Sequence, residues 1–143
     1  MAALTNSAES GLLNHFFRGI ALQSPSNVYI GLLGSYVSQA VEAGDISAEI
    51  TGDGFPRQPA PCTPQFWSAP YTSGTATAVH NLSGIEFLTA GTSKGWVTGV
   101  IISKTVSGGG ADTLFHGQLT NSREIRQGDQ FVFPSGSLKI TFD

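Results

Sequence analysis

Three histidines, one cysteine, ten acidic residues and a run of three glycines are the groups in this 143-residue chain with the chemistry for a site. A helical zinc site needs two histidines one turn apart, and a structural zinc needs several Cys or His ligands together. His15, His80 and His116 stand far apart in sequence and Cys62 is the sole cysteine, so neither a metal nor an intrachain disulfide is expected. Cys62 lies in Ala60-Pro61-Cys62-Thr63-Pro64, without the basic neighbour or helix N-terminus that activates a thiol; it reads as a small buried or half-buried apolar residue. Asp45, Glu49 and Asp53 recur every four residues but lack the packing of a calcium loop, and read as solvated loop charges. Gly108-Gly109-Gly110 precedes a strand rather than a helix and has no lysine after it, so it reads as a hairpin turn and not a phosphate cradle. No Gly-x-Ser-x-Gly elbow occurs. No catalytic residue and no cofactor is assigned, and the chain reads as not an enzyme.

The totals narrow the partners. Only 12 % of residues are charged, against about 25 % in typical soluble proteins, so the surface is covered by Ser, Thr, Gly and Asn or is held against other subunits. Seven basic against ten acidic residues, with Arg123 and Arg126 the nearest thing to a cluster, exclude a sequence-independent nucleic-acid binder and a polybasic membrane anchor. No basic, apolar leader opens the sequence and no apolar run has membrane-spanning length, so a soluble chain made without export is expected.

The elements that must position any interacting side chain are mostly strands. One helix is expected over residues 6–18. Thr5, Asn6 and Ser7 offer N-cap side chains, and Glu9 sits in the first turn. Leu12, Leu13, Phe16, Phe17 and Ile20 form one apolar face, and Gly19 is the stop. A helix this short is marginal alone, so that face docks on the chain's own sheet or on a neighbouring subunit. Strands are expected at 28–33, 84–88, 96–103, 114–119, 130–133 and 138–142, with a weaker one at 45–51 that ends in the Gly52-Asp53-Gly54 turn. The continuous apolar run from Trp96 to Ser103 suits a strand covered on both faces, with Trp96 in the core. In the last strand Leu138, Ile140 and Phe142 share one face. Residues 105–112 form a flexible turn. Five of the seven prolines fall in 55–74, among Phe55, Phe66, Trp67 and Tyr71. This stretch reads as an edge or extended arm, lying on the chain's own surface or on a partner's. The sum is a mainly β, single-domain chain over 1–143, a β-sandwich or jelly-roll-like barrel with one short N-terminal amphipathic helix.

Four stretches carry a resemblance: LTNSAESGLLNHFFRG at 4–19, NVYIGLL at 27–33, EITGDGFPRQ at 49–58, and LFHGQLTNSREIRQGDQFVFPSGSLKITFD at 114–143. Together, in this order, the chain resembles a family of small virion structural proteins of tailed bacteriophages. Members are often labelled tail fibre proteins, and similar small β proteins serve as decoration, or cement, subunits on capsids. Residues 59–82 depart from the pattern, being richer in proline and aromatics.

The resemblance implies a virion protein made in the host cytoplasm. Its first implication is a capsid decoration subunit, a trimer that clamps the major capsid protein. The alternative is a tail, baseplate or fibre component bound to tail proteins. A lesser alternative is a carbohydrate-binding module for host recognition, with Trp67, Trp96 and Tyr71 as platforms. The expected interface residues are Phe66, Trp67 and Tyr71 on the arm, with Phe16 and Phe17 on the helix.

Overall fold

A computed structural model describes residues 2–52 and 55–142. In chain order its elements are β1 Ala2–Leu4, α1 Asn6–Arg18, β2 Asn27–Leu33, α2 Ser38–Glu42, β3 Gln58–Pro61, β4 Tyr71–Ser73 and β5 Ala76–His80. There follow β6 Ile85–Glu86, β7 Gly95–Ser103, β8 Thr113–Ile125, β9 Val132–Phe133 and β10 Lys139–Phe142. The strands form a five-stranded antiparallel sheet in the order β1-β8-β7-β2-β3, a three-stranded sheet β10-β5-β4 and a two-stranded ribbon β6-β9. The fold is mainly β and sandwich-like, as the strand pattern predicts.

The main core lies between the large sheet and the two smaller ones. Ile30 and Leu32 of β2 and Val100 and Ile102 of β7 meet Ile85, Phe87, Phe131, Phe133, Leu138 and Ile140 from the opposite side. Phe87 organises this layer, stacked on Phe55 at 5.7 Å and edge-on to Phe131 at 5.9 Å. The alternate residues Leu33 and Ile101 point to the other face of the large sheet and bury against Val41 of α2. β7 is thus covered on both faces, which is why its sequence lacks polar alternation.

Several elements depart from the sequence reading. α2 has only one buried residue, Val41, too little for a periodic signal. Residues 45–51 are not a strand. Asp45 accepts from the Ser47 amide and closes a turn, and Glu49 makes a single bridge to Leu33. Trp96 is 56 % exposed. Strand alternation puts Val97 into the core and Trp96 on the opposite face, at the end of the sheet, across from Glu124. Cys62 is exposed just beyond edge strand β3, and partial burial pushes its thiol pKa up, which disfavours the reactive thiolate. Phe142, at the end of β10, is half exposed and only leans edge-on against Phe115, while Leu138 and Ile140 are buried.

The 55–74 stretch is partly core. Phe55 and Ala60 are fully buried, and β3 pairs with β2 as the edge of the large sheet. Prolines are tolerated there because an edge strand has amides to spare. Arg57 is also buried: its guanidinium grips Glu49 through both carboxylate oxygens (2.6 and 2.8 Å) and donates to the carbonyls of Thr105 (3.0 Å) and Gly108 (2.8 Å). Of the three acids read as solvated, Glu49 is therefore inside. Asp45 stays exposed, its pKa lowered by the Ser47 hydrogen bonds, and Asp53 lies outside the described residues. The glycine turn does join β7 to β8, but Arg57 pins it, and a Cβ on Gly110 would overlap the Gly44 carbonyl. We expect Gly110→Ala to lower the melting temperature measurably, because backbone rather than a side-chain tip must yield. An unchanged melt would disprove that contact.

Candidate interaction face

α1 is held at its beginning. Thr5, fully buried, is the N-cap: its hydroxyl accepts from the Ala8 amide (3.3 Å) and donates to the Thr113 carbonyl, and its own amide donates to Leu114 O (3.0 Å). Ser7 Oγ donates to Ala111 O at 2.7 Å. One turn later, Leu22 of the returning chain lies over Gly11. Gly19, in the left-handed region at φ 66°, ends the helix and turns the chain back.

These contacts fix the rotation of the helix. Ser7 and Gly11 are one turn apart and face the body of the protein, so the stripe through Leu13, Phe16 and Phe17 faces away. No residue of α1 is buried. Leu13 is 59 % exposed, Phe16 73 % and Phe17 80 %, and Ile20 is half exposed beside them. The expectation that this face docks on the chain's own sheet fails for Leu13, Phe16, Phe17 and Ile20; of the predicted face only Leu12 is half buried, on the side of the helix that Ala8 and Gly11 share. The apolar face is left for a neighbour.

The arm residues are placed differently. Phe66 and Trp67 lie 5.5 Å apart, half buried against the main core, and Trp67 bridges to Asn81. Tyr71, on β4, is more open. It packs edge-on to His80 at 5.3 Å, with its hydroxyl 3.2 Å from His80 Nδ1. The structure therefore does not gather Phe66, Trp67 and Tyr71 into one outward platform with Phe16 and Phe17. Leu13 belongs with the two phenylalanines. The helical spacing already groups these residues, but nothing in it tells which way the face points.

Among the described residues no group of three or more His, Cys, Asp or Glu is placed to hold a metal, and no helix is long and apolar enough to cross a membrane. His116 is buried, its Nδ1 2.9 Å from the Tyr36 hydroxyl. Burial lowers its pKa, against the pull of Glu42 and the Leu4 carbonyl. A histidine held neutral in the fold takes up more protons when unfolded, so its contribution is full above the unfolded value near 6.5 and is lost as pH falls below it. We expect melting temperature to fall between pH 7 and 5, with a shallower slope in His116→Gln. Equal slopes would remove His116 as the cause.

A family model described as "Podophage GP4 fiber I protein gp80" matches residues 3–141. The chain belongs to this family. A search of curated proteins gives no match. The fibre I family match spans nearly the whole chain, so helix, sandwich and arm all fall inside it. It agrees with the resemblance to small phage virion proteins, and this fibre I family member is a bacteriophage structural component.

Proposed function

We propose that the chain is a non-enzymatic fibre subunit of a short-tailed phage, built into the virion through subunit contacts and bound to tail proteins. The observation that carries this is the outward apolar stripe of α1, in a chain whose family is described as a fibre protein. An exposed apolar patch of this kind is the mark of an interaction site, which suits a subunit held in an assembly. The low charge of the chain agrees with such a role. Capsid decoration, the first implication of the resemblance, would use the same fold, but the family's description favours the fibre. Sugar binding through Trp67, Trp96 and Tyr71 has less support, since these lie on three different segments and Trp67 is half buried against the core.

Deleting the gene and producing particles by complementation tests the assignment. The expected particles have filled, stable heads and lack a fibre. Heads that lose DNA or stability while the tail appendages remain would overturn the fibre reading in favour of decoration.

A further inference from the structure

The sandwich is left open between β8 and β10. β1 fills part of this gap, where it pairs with β8 at residues 115–117 and comes close to β10. Past Gly117, among the described residues, that edge of β8 has no partner strand, and β10 is paired with β5 alone. A cleft of about 530 Å³ lies here. Of the five residues of the main core that keep 6 % or more of their surface, four line it: Val100, Phe133, Leu138 and Ile140. The core is thus most open where two strand edges are also unpaired. An unpaired edge beside an apolar floor is what an added strand requires, and β1 already occupies one end of the same slot as a strand.

The floor also selects against charge. Two titratable residues line the cleft, and both turn their side chains away from it. Lys139 Nζ donates to Ser73 Oγ of β4, and His116 Nδ1 sits 2.9 Å from the hydroxyl of Tyr36, which packs on the other face of the large sheet. The cleft therefore suits aliphatic side chains on an extended, uncharged backbone.

One segment of this chain meets these demands. Among the described residues, the only exposed large apolar side chains two apart in sequence are Ile20 and Leu22, each about half exposed. They lie between α1 and β2, outside any helix or strand, and residues 19–24 carry no charge. Among the described residues, no backbone hydrogen bond reaches residues 21–24. Extended, this segment would put Ile20 and Leu22 on one face and offer its free amides and carbonyls to a strand edge.

We infer that the cleft between β8 and β10 receives residues 20–24 of a second copy of this chain, added as a strand to the edge of β8 in line with β1. The surface given and the surface received are different, so the contact is head-to-tail. It repeats from copy to copy and builds a ring or a filament rather than a two-fold pair. The inference rests on the reading of the chain as a fibre subunit and goes beyond it by naming the partner.

Sedimentation velocity on the purified full chain, over a range of concentrations, is the first test. An average mass that grows past two copies is expected. The double variant Ile20→Ser, Leu22→Ser is expected to raise the dissociation constant about 30-fold, because two half-exposed aliphatic side chains lose their burial in the cleft. Its circular dichroism should match the parent's, and Phe16→Ser, Phe17→Ser should associate as the parent does. The contact is read by disulfide formation in a Cys62→Ser background, because the native thiol is exposed. Leu22→Cys chains mixed with Thr120→Cys or Ser137→Cys chains should give a mixed disulfide, while each variant alone gives none. Efficient cross-linking of Leu22→Cys with itself, or no mixed disulfide with either rim position, would overturn the head-to-tail strand. A monomer at all concentrations would overturn it too, as would association lost in Phe16→Ser, Phe17→Ser but kept in Ile20→Ser, Leu22→Ser. Each of these leaves the fibre assignment to the particle experiment.

Discussion

Arg57→Ala is expected to lower the unfolding free energy by about 3–5 kcal/mol, because it strands a carboxylate inside the protein. Arg57 is 5 % exposed, and the Glu49 side chain is 13 % exposed. Water therefore cannot replace the guanidinium. The loss also removes the donors to Thr105 O and Gly108 O, so the β7–β8 turn is released along with the charge. For a domain of this size the melting temperature should drop by about 10–15 °C. Lysine is a poor substitute, since a single ammonium cannot bridge two carboxylate oxygens and two carbonyls at once. The double change Arg57→Met, Glu49→Met should cost less than Arg57→Ala alone, because it removes the stranded charge together with its partner. Thermal melts and hydrogen exchange across residues 104–112 measure both parts. A loss below about 1 kcal/mol for Arg57→Ala, the range of surface pairs, would mean the pair is solvated.

The second large effect is expected at Asn81. This residue is fully buried, and its amide joins three chain segments: Nδ2 donates to Ser83 O (2.9 Å) and Pro134 O (3.0 Å), and Oδ1 accepts from the Leu138 amide (2.9 Å). Its backbone amide donates to Leu138 O, and its carbonyl accepts from the Gly136 amide. Asn81 thus ties the end of β5 to the turn that feeds β10. Asn81→Leu fits the volume but leaves two carbonyls and an amide without partners inside the protein. At about 1–3 kcal/mol for each stranded group, and with less than full additivity, the expected loss is about 3–5 kcal/mol. Asn81→Asp should behave differently. Its carboxylate keeps the bond from Leu138 but faces two carbonyls, so the variant should gain stability as pH falls and the acid becomes a donor. A chemical-denaturation series from pH 7 to 5 separates the two. An Asn81→Asp variant whose stability falls with pH in parallel with the parent would refute the assigned contacts.

The strands that build the sandwich were legible because they carry strong local patterns. β2, β7 and the first half of β8 announce themselves by β-branched and apolar runs, and α1 by its N-cap, its spacing and Gly19; the second half of β8, residues 120–125, is polar and was not read as a strand. Arg57 and Asn81 were not legible, because a single polar residue has no period; Thr5 was readable as an N-cap candidate, but not its burial or its bond to the Thr113 carbonyl, 108 residues away. Glu49 looked like a loop charge because its partner lies eight residues away across a turn. Trp96 shows the opposite failure. Its type says core, but its parity within the strand says surface, and parity decides.

The candidate face divides along the same line. Spacing alone brought Phe16 and Phe17 together and set them apart from the polar side of α1. Which side meets the body is decided by Ser7 reaching Ala111 and by Leu22 lying over Gly11, contacts that no local pattern encodes. On the arm, proline and aromatic content signalled irregular backbone correctly but not its destination. Phe55 went to the core, Phe66 and Trp67 to its margin, and Tyr71 to the surface.

The most direct test of the central claim is a copy count. Purified particles carrying this chain are digested, and its peptides are quantified against those of the major capsid protein by mass spectrometry with labelled standards. A fibre subunit is predicted to be present far below the number of coat subunits, in a multiple set by the symmetry of the tail. A ratio near one chain per coat subunit would contradict the account and make the protein a component of the shell.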